Sequence, residues 1–358
     1  VATISTMRTT DARRWIDLPQ PFLWQEAREA GLSHAALSGA VRRREVIKVA
    51  PSVYAVREPW LRLDPTELHV ALARAAQASI PESVVSHVSA AIALGLPRPQ
   101  GPVGKVSLTA RESSRTSYPD DWRRVLQAKL PADHVSTARG VLLTTPARTV
   151  VDSFRQSRFR DALAIADAAL RDGLVQSEEL REMRAFQTRW PGIRLAEEGL
   201  GLVDGRRESW LESASVAVAH RRGYSVPESQ IRIHDMEGAF VGRVDHLWRG
   251  AGVIGEADGL GKYRGDLADE EATAEQISEI VLAERDRERG LESLGFAVAR
   301  WGTADLRDYG EGLCRALSAA RRRARPQSIR CLWRSNDDEP LQPWSWPPAE
   351  SSAAFPAA

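Results

Sequence analysis

The stretch GRVDHLWRGAGVIGEADG, residues 242–259, constrains this chain more than any other. It reads as two short apolar strands around a glycine-containing turn, yet it carries Asp245, Glu256 and Asp258, residues that a buried strand normally excludes. Burying three isolated carboxylates is too costly to persist, so they are solvated, paired with cations or gathered around a metal. If Gly250 and Ala251 form a two-residue type II′ turn, Trp248 faces Val253, Leu247 faces Ile254 and Asp245 faces Glu256. The same register sets Asp258 opposite Arg243 and collects the acids at the open end of the hairpin. Opposed β-carbons lie about 5 Å apart, close enough for two carboxylates to share one hard cation such as Mg²⁺. Lys262 follows in GLGKY, where two glycines let the chain turn back. A divalent ion held by Asp and Glu beside a lysine is equipment for phosphodiester hydrolysis, the ion activating water and the lysine orienting the nucleophile. The plainer alternative is a surface hairpin whose acids pair with Arg243 and Lys262.

At about 100–200 residues per domain, 358 residues predict two or three domains. The net charge is only +1, so attraction to a nucleic acid must come from local clusters among the 49 Lys and Arg. Cys314 and Cys331 lack metal-ligand spacing, which argues against a disulfide scaffold or a structural zinc site and fits a reducing cytoplasm. The segment VATISTMRTTDARRWIDLP has no apolar signal-type core, and no apolar run approaches the roughly 18 residues of a membrane span. A cytoplasmic protein without membrane contact is the expectation.

Near the start, FLWQEAREAG is a short helical stretch stopped by Gly31, and Ser33 can cap the helix that follows, SHAALSGAVRRRE. VIKVAPSVYAV then alternates about a Pro-Ser turn as a small hairpin does. This order predicts a winged helix-turn-helix whose second helix enters the major groove of DNA. Arg42, Arg43, Arg44 and Lys48 are its candidate phosphate contacts; Ser33, His34 and Ser38 are the candidates for reading bases. A solvated helix end favoured by the helix dipole explains the arginine run equally well without the hairpin. Beyond it lies a mixed α/β region in which His87 and His134 look isolated, the ordinary behaviour of packed or capping histidines.

Two resemblances extend this reading. VRRREVIKVAPSVYAV, VVSHVSAAIALGL and TTPARTVVDSF resemble the AbiEi family of antitoxins over about residues 20–180. That resemblance implies promoter binding, transcriptional autorepression and a nucleotidyltransferase-type toxin as partner. Residues of about 206–306 resemble the very-short-patch-repair-like endonucleases of the PD-(D/E)XK superfamily. Residue by residue, Glu212 in ESWLESAS falls on the family's helix acid, Asp245 on its strand Asp, Glu256 and Asp258 on its E-x-D-G, and Lys262 on its basic group. LAERDRERGLESLGFAVARW supplies the charged helix and final strand, with Arg285, Arg287 and Arg300. The resemblance implies Mg²⁺ or Mn²⁺ at Asp245 and Glu256, although Asp258 stands where the strict superfamily pattern has lysine. A helical wheel sets Glu212 opposite Trp210, Ala214 and Val218, which by itself predicts a solvated side chain.

The expected architecture is therefore an α+β multidomain protein. A winged helix-turn-helix occupies 1–62, a mixed α/β regulatory or scaffold domain 63–200, and a restriction-endonuclease-like α/β domain 201–325. The Pro-, Ser- and Ala-rich tail 326–358 is expected to be disordered. Two functions compete: a DNA-targeted, metal-dependent endonuclease, and a non-catalytic antitoxin that represses its own promoter with a degenerate nuclease fold. Fold alone does not choose between them, because function resides in the site.

Overall fold

The computed structural model describes residues 14–80, 82–101, 104–110, 121–258 and 285–346. The chain is mixed α/β and divides into two compact units. The first comprises 1–157 with 178–193, the second 158–177 with 194–358.

In the first unit, helix Trp24–Glu29 ends at Gly31, whose φ of +77° suits glycine. Helix His34–Arg42 follows, with Ser33 Oγ accepting from Ala36 N at 3.1 Å as its cap. Strands Val46–Ala50 and Val53–Val56 then pair antiparallel, and Phe22–Leu23 adds a third short strand beside the second. Trp15, Phe22, Ala27, Leu32, Leu37, Ala40 and Val46 form the core beneath, so each helix buries one apolar side. A five-stranded sheet follows in the order Arg123–Gln127, Val106–Ala110, Ser83–Val85, Val141–Thr144, Val135–Ala138. Helix Pro65–Ala78 opens with a capping box in which Asp64 accepts from Glu67 N and Glu67 from Asp64 N. Helix Pro146–Gln156 opens on Pro146, at the position where proline's missing N–H costs nothing.

The second unit is built on a six-stranded sheet in the order Ala297–Trp301, Val253–Ala257, Phe240–Trp248, Glu228–His234, Leu332–Arg334, Gln342–Pro343. Only the first pair is parallel. Alternation feeds two cores: Trp248 and Val253 join Leu211, Trp301 and Leu313 on one face, while Leu247 and Ile254 join Leu291, Val298 and Ile329 on the other. Trp248↔Val253 and Leu247↔Ile254 pair in the register the sequence predicts. The connection differs from the expected two-residue turn. Arg249–Ala251 forms a 3-10 turn closed by Gly252 at φ +63°, where a Cβ would lie 3.0 Å from Pro326 Cβ. Gly255 is needed for another reason, since a Cβ there would come within 2.3 Å of the Trp301 ring.

Two boundaries depart from expectation. Helix Phe159–Arg171, which the sequence assigns to the middle domain, packs in the second unit on helix Trp210–Arg221, with Trp210 Nε1 donating to Asp161 Oδ1 at 2.9 Å. Asp167 of that helix and Arg207 form a fully buried ion pair at 2.8 Å. The tail, expected to be disordered, instead extends the sheet through Leu332–Arg334, paired with Glu228–His234. Trp333 is buried there beneath the Arg249 guanidinium, and the Trp344 ring meets Phe296 edge-on. Residues 347–358 lie outside the described set. No helix among the described residues is long and apolar enough to cross a membrane.

Candidate functional site

Three buried carboxylates meet in the second unit, each carried by a different element. Glu212 sits in the first turn of helix Trp210–Arg221, whose cap is Ser209. Its carboxylate accepts from Ser209 Oγ at 2.7 Å and from Glu208 N at 3.0 Å, while Ser209 Oγ accepts from Glu212 N at 3.1 Å. The sequence Ser-x-x-Glu at 209–212 thus builds a variant of the capping box that buries the acid. Glu212 is only 1% exposed, against the solvated position the wheel predicts. Asp245 lies in strand Phe240–Trp248 and accepts from Ala257 N at 2.9 Å, taking a backbone donor where the ladder beyond His246↔Gly255 stops. Glu256 lies in strand Val253–Ala257 and accepts from Arg287 Nη1 at 3.1 Å.

Gln230 joins two of these acids. Its Nε2 donates to Glu212 Oε2 at 2.8 Å and reaches Asp245 Oδ1 at 3.5 Å. Its backbone sits at φ +57° inside strand Glu228–His234, a strained conformation for a non-glycine residue of the kind that collects at functional sites. Its Oε1 is buried without a protein partner among the described residues. Sequence reasoning missed Gln230, because a left-handed residue inside a strand breaks the alternation that would reveal its face.

Crowding sets the electrostatics. Burial, then the charge of Asp245, raises the carboxyl of Glu212 above its ordinary range. Burial also pushes Glu256 up to about 7, reinforced by Asp245 and opposed by Arg287. Asp245 therefore acts on both neighbours. No group of three or more His, Cys, Asp or Glu placed to hold a metal occurs among the described residues. Asp245 and Glu256 remain as a carboxylate pair on adjacent strands.

The raised Glu256 carboxyl has a measurable consequence. Between about pH 4.5 and about pH 7 the folded protein retains a proton that the unfolded chain has released, so stability falls as pH rises through that window. Glu256→Gln should remove this term, and the stability difference between variant and parent should shift in the variant's favour by about 2–3 kcal/mol across the window. Denaturant titrations at a series of pH values in chelator-treated buffer read this directly; a pH-independent difference would rule it out.

The other predicted partners are rearranged. Asp258 pairs with Arg300 at 3.0 Å rather than with Arg243. Arg243 instead holds Glu208 through two contacts of 2.8 Å. The reason is reach: Arg300 lies on the parallel neighbour Ala297–Trp301, and Glu208 precedes the acid-bearing helix. Lys262 and most of the predicted charged helix lie outside the described residues, although 285–293 is helical.

In the first unit, His34, Ser38 and Arg42 are exposed at four-residue spacing along one helix face, with Ala35 and Val41 beside them. His34 Nδ1 lies 3.3 Å from Ser38 Oγ, and Ser33 spends its hydroxyl on the cap. Arg43 is held in a forked ion pair by Glu45 at 2.8 and 2.9 Å. Arg42, Arg44 and Lys48 are exposed and make no ion pair among the described residues.

Residues 60–195 match the family model of the AbiEi antitoxin C-terminal domain. Two proteins of Mycobacterium tuberculosis, the uncharacterized proteins MT2308 (strain CDC 1551 / Oshkosh) and Rv2248 (strain ATCC 25618 / H37Rv), are each 32% identical over 168 residues, covering 47% of this chain and 57% of the relative. The chain thus spans little more than half the length of these relatives. The crystal structure of the RV2827C protein from Mycobacterium tuberculosis aligns at TM-score 0.33 and 17% identity over 57% of this chain and 76% of its own, a likeness that bears on neither fold nor function.

Proposed function

We propose that this is a DNA-binding protein of the toxin–antitoxin kind whose second unit carries a metal-dependent phosphodiesterase site. The observation that carries the reading is the convergence of Glu212, Asp245 and Glu256 from three elements, with Gln230 donating to two of them. Asp245 and Glu256 would hold Mg²⁺ or Mn²⁺, hard cations that commonly take one or two carboxylates and complete their shell with water. Gln230, whose Nε2 reaches Asp245, carries a further buried oxygen at Oε1, and oxygen donors of this kind suit such an ion. When bound, that ion supplies charge neutralisation at the phosphodiester and lowers the pKa of a water. The chain's own residues do the rest. Glu212, through Gln230, fixes the orientation of Asp245. Arg287, bonded to Glu256 and to the Arg243 carbonyl at 3.0 Å, holds the outer acid in place. Lys262 is assigned the orientation of the attacking group. Incubating supercoiled plasmid with the protein and Mg²⁺ or Mn²⁺ tests for nicking.

The first unit would place the protein on DNA as a winged helix, with the His34, Ser38 and Arg42 face toward the major groove. Because Glu45 already engages Arg43, the three arginines should not count equally. Replacing Arg42 and Arg44 together by Ala should reduce the slope of log K against log salt by about 1.8, whereas Arg43→Ala should change it by less than half as much per residue. Equal slopes for the parent and the double variant in an anisotropy titration on duplex DNA would remove this helix from the interface.

A second reading is a non-catalytic antitoxin and autorepressor, with a nucleotidyltransferase-type toxin as its partner. The Glu256–Arg287 ion pair favours it, since it neutralises an acid that cleavage would require. So does the family match over 60–195. Repression of its own promoter without cleavage in any metal would select it.

A further inference from the structure

The first unit contains a cavity of about 240 Å³ that none of the foregoing uses. Its walls come from the end of the five-stranded sheet at Thr109 and Leu126–Ala128, from His87, from Arg148, Asp152, Arg155 and Gln156 of helix Pro146–Gln156, and from Trp190. Asp152, fully buried, accepts from Arg148 Nε at 2.6 Å, Arg155 Nη1 at 2.7 Å and Gln187 Nε2 at 3.0 Å. Arg148 Nη1 goes to the Lys129 carbonyl and to His134 Nδ1, and Arg155 Nε to the Pro191 carbonyl at 2.9 Å. Both guanidinium carbons lie over the Trp190 ring, at 4.8 and 5.0 Å. Two rigidly held cations thus share one carboxylate, which leaves the wall with a positive excess. Neither Nη2 is hydrogen-bonded to protein among the described residues.

On three of the residues that line this cavity a polar atom is buried without a protein partner among the described residues: His87 Nε2, Thr109 Oγ1 and Gln156 Oε1. Buried polar groups are nearly always satisfied by protein, water or a ligand, so three such atoms on the residues around one cavity mark its wall as polar. His87 also adopts φ +56°, a left-handed backbone that costs a non-glycine residue free energy and persists where a side chain must be placed. Its Nδ1 lies 2.9 Å from Ser86 Oγ. Burial and the surrounding arginines lower its pKa to about 4, so the ring is neutral near pH 7. In the tautomer whose Nδ1 accepts from the Ser86 hydroxyl, Nε2 carries the ring hydrogen and is the donor this residue offers.

We propose that this cavity binds a phosphate group, either as inorganic phosphate or at the end of a small phosphomonoester. The Nη2 atoms of Arg148 and Arg155, the Thr109 hydroxyl and His87 Nε2 are donors placed on separate elements, which suits a tetrahedral oxyanion better than a flat carboxylate. Gln156 Oε1 is an acceptor and needs a donor in return. Inorganic phosphate keeps a P–OH near pH 7 and provides one, an ester does so only as its monoanion, and sulfate does not, so the site distinguishes phosphate from sulfate. The volume admits phosphate with a few further atoms but falls below the roughly 300 Å³ at which drug-sized ligand pockets begin, which excludes a nucleotide.

Calorimetry and thermal unfolding of the full chain with inorganic phosphate test the assignment. Binding tighter than about 1 mM is expected, with sulfate and acetate at least ten-fold weaker. Glycerol 3-phosphate binding as well as phosphate identifies the ester form as a ligand, whereas phosphate alone identifies the free ion. Thr109→Val removes a hydroxyl that has no protein partner among the described residues, so it should leave the melting temperature in phosphate-free buffer unchanged or raised. The same change should weaken phosphate binding at least ten-fold. Gln156→Met should narrow the preference for phosphate over sulfate. Absence of phosphate binding by the parent, or equal binding by the parent and Thr109→Val, overturns the proposal.

Discussion

Asp245→Asn should abolish metal-dependent DNA cleavage, by about 10²-fold or more, while leaving DNA affinity and melting temperature close to those of the parent. The substitution is nearly isosteric, and the asparagine carbonyl can still accept the Ala257 amide that Asp245 accepts at 2.9 Å. What is lost is one of the two charges a divalent ion would use. The remaining pair also relaxes in part, because burial first and then the charge of Asp245 raise both Glu212 and Glu256. Calorimetric titration with Mn²⁺ should therefore show weaker binding in the variant before any cleavage is measured. Lys262→Ala should lose cleavage by a similar factor without losing the ion. If the parent cuts and Asp245→Asn cuts equally well, the carboxylate cluster is structural and the nuclease activity lies elsewhere or in a contaminant.

The second large effect concerns stability. Asp167→Asn should destabilise the protein by about 3–5 kcal/mol, because it leaves the Arg207 charge buried without its counterion. Arg207 would keep only neutral acceptors, the Leu202 carbonyl at 2.9 Å and Ser229 Oγ at 3.2 Å. Burial outweighs the arginine at Asp167 and raises its carboxyl, so the pair itself contributes little net stability. It follows that the double variant Asp167→Asn with Arg207→Met should recover most of the loss. Urea unfolding of the parent and the two variants checks both statements. A single variant as stable as the parent would mean that Arg207 finds water or another acceptor.

The contrast between these two sites shows what local sequence can carry. The Trp248↔Val253 and Leu247↔Ile254 register was legible because a short glycine-containing connection centred on Gly250 and Ala251 limits which residues can face one another. The capped helix His34–Arg42 and the hairpin after it were legible because caps and turns are written within a few residues. Glu212 was misplaced because the wheel assumes a solvent side, whereas Leu211, Ser213, Ala214, Ser215, Val216, Ala217 and Ala219 are all buried around it. Its better signal was Ser209 three residues earlier. Arg300 with Asp258 and Arg243 with Glu208 depend on strand order and on a neighbouring helix, and no spacing encodes either. The tail escaped notice because Leu332–Arg334 is too short to display a period. His134, isolated in sequence, bonds Arg148 at 3.2 Å across a fold that only the tertiary structure brings together.

The path of the chain between its two units has a consequence for how such a protein is made and inherited. The backbone passes from one unit to the other after residues 157, 177 and 193. On the ribosome, helix Phe159–Arg171 emerges before the helix it packs against, so Ala162, Leu163, Ile165, Ala166 and Ala169 must wait uncovered until Trp210–Arg221 has been synthesised. The first unit meanwhile cannot close until its last segment, 178–193, has been added. A single crossover anywhere between 158 and 193 would part segments that one unit needs, separating 178–193 from the rest of its sheet domain or Phe159–Arg171 from Trp210–Arg221.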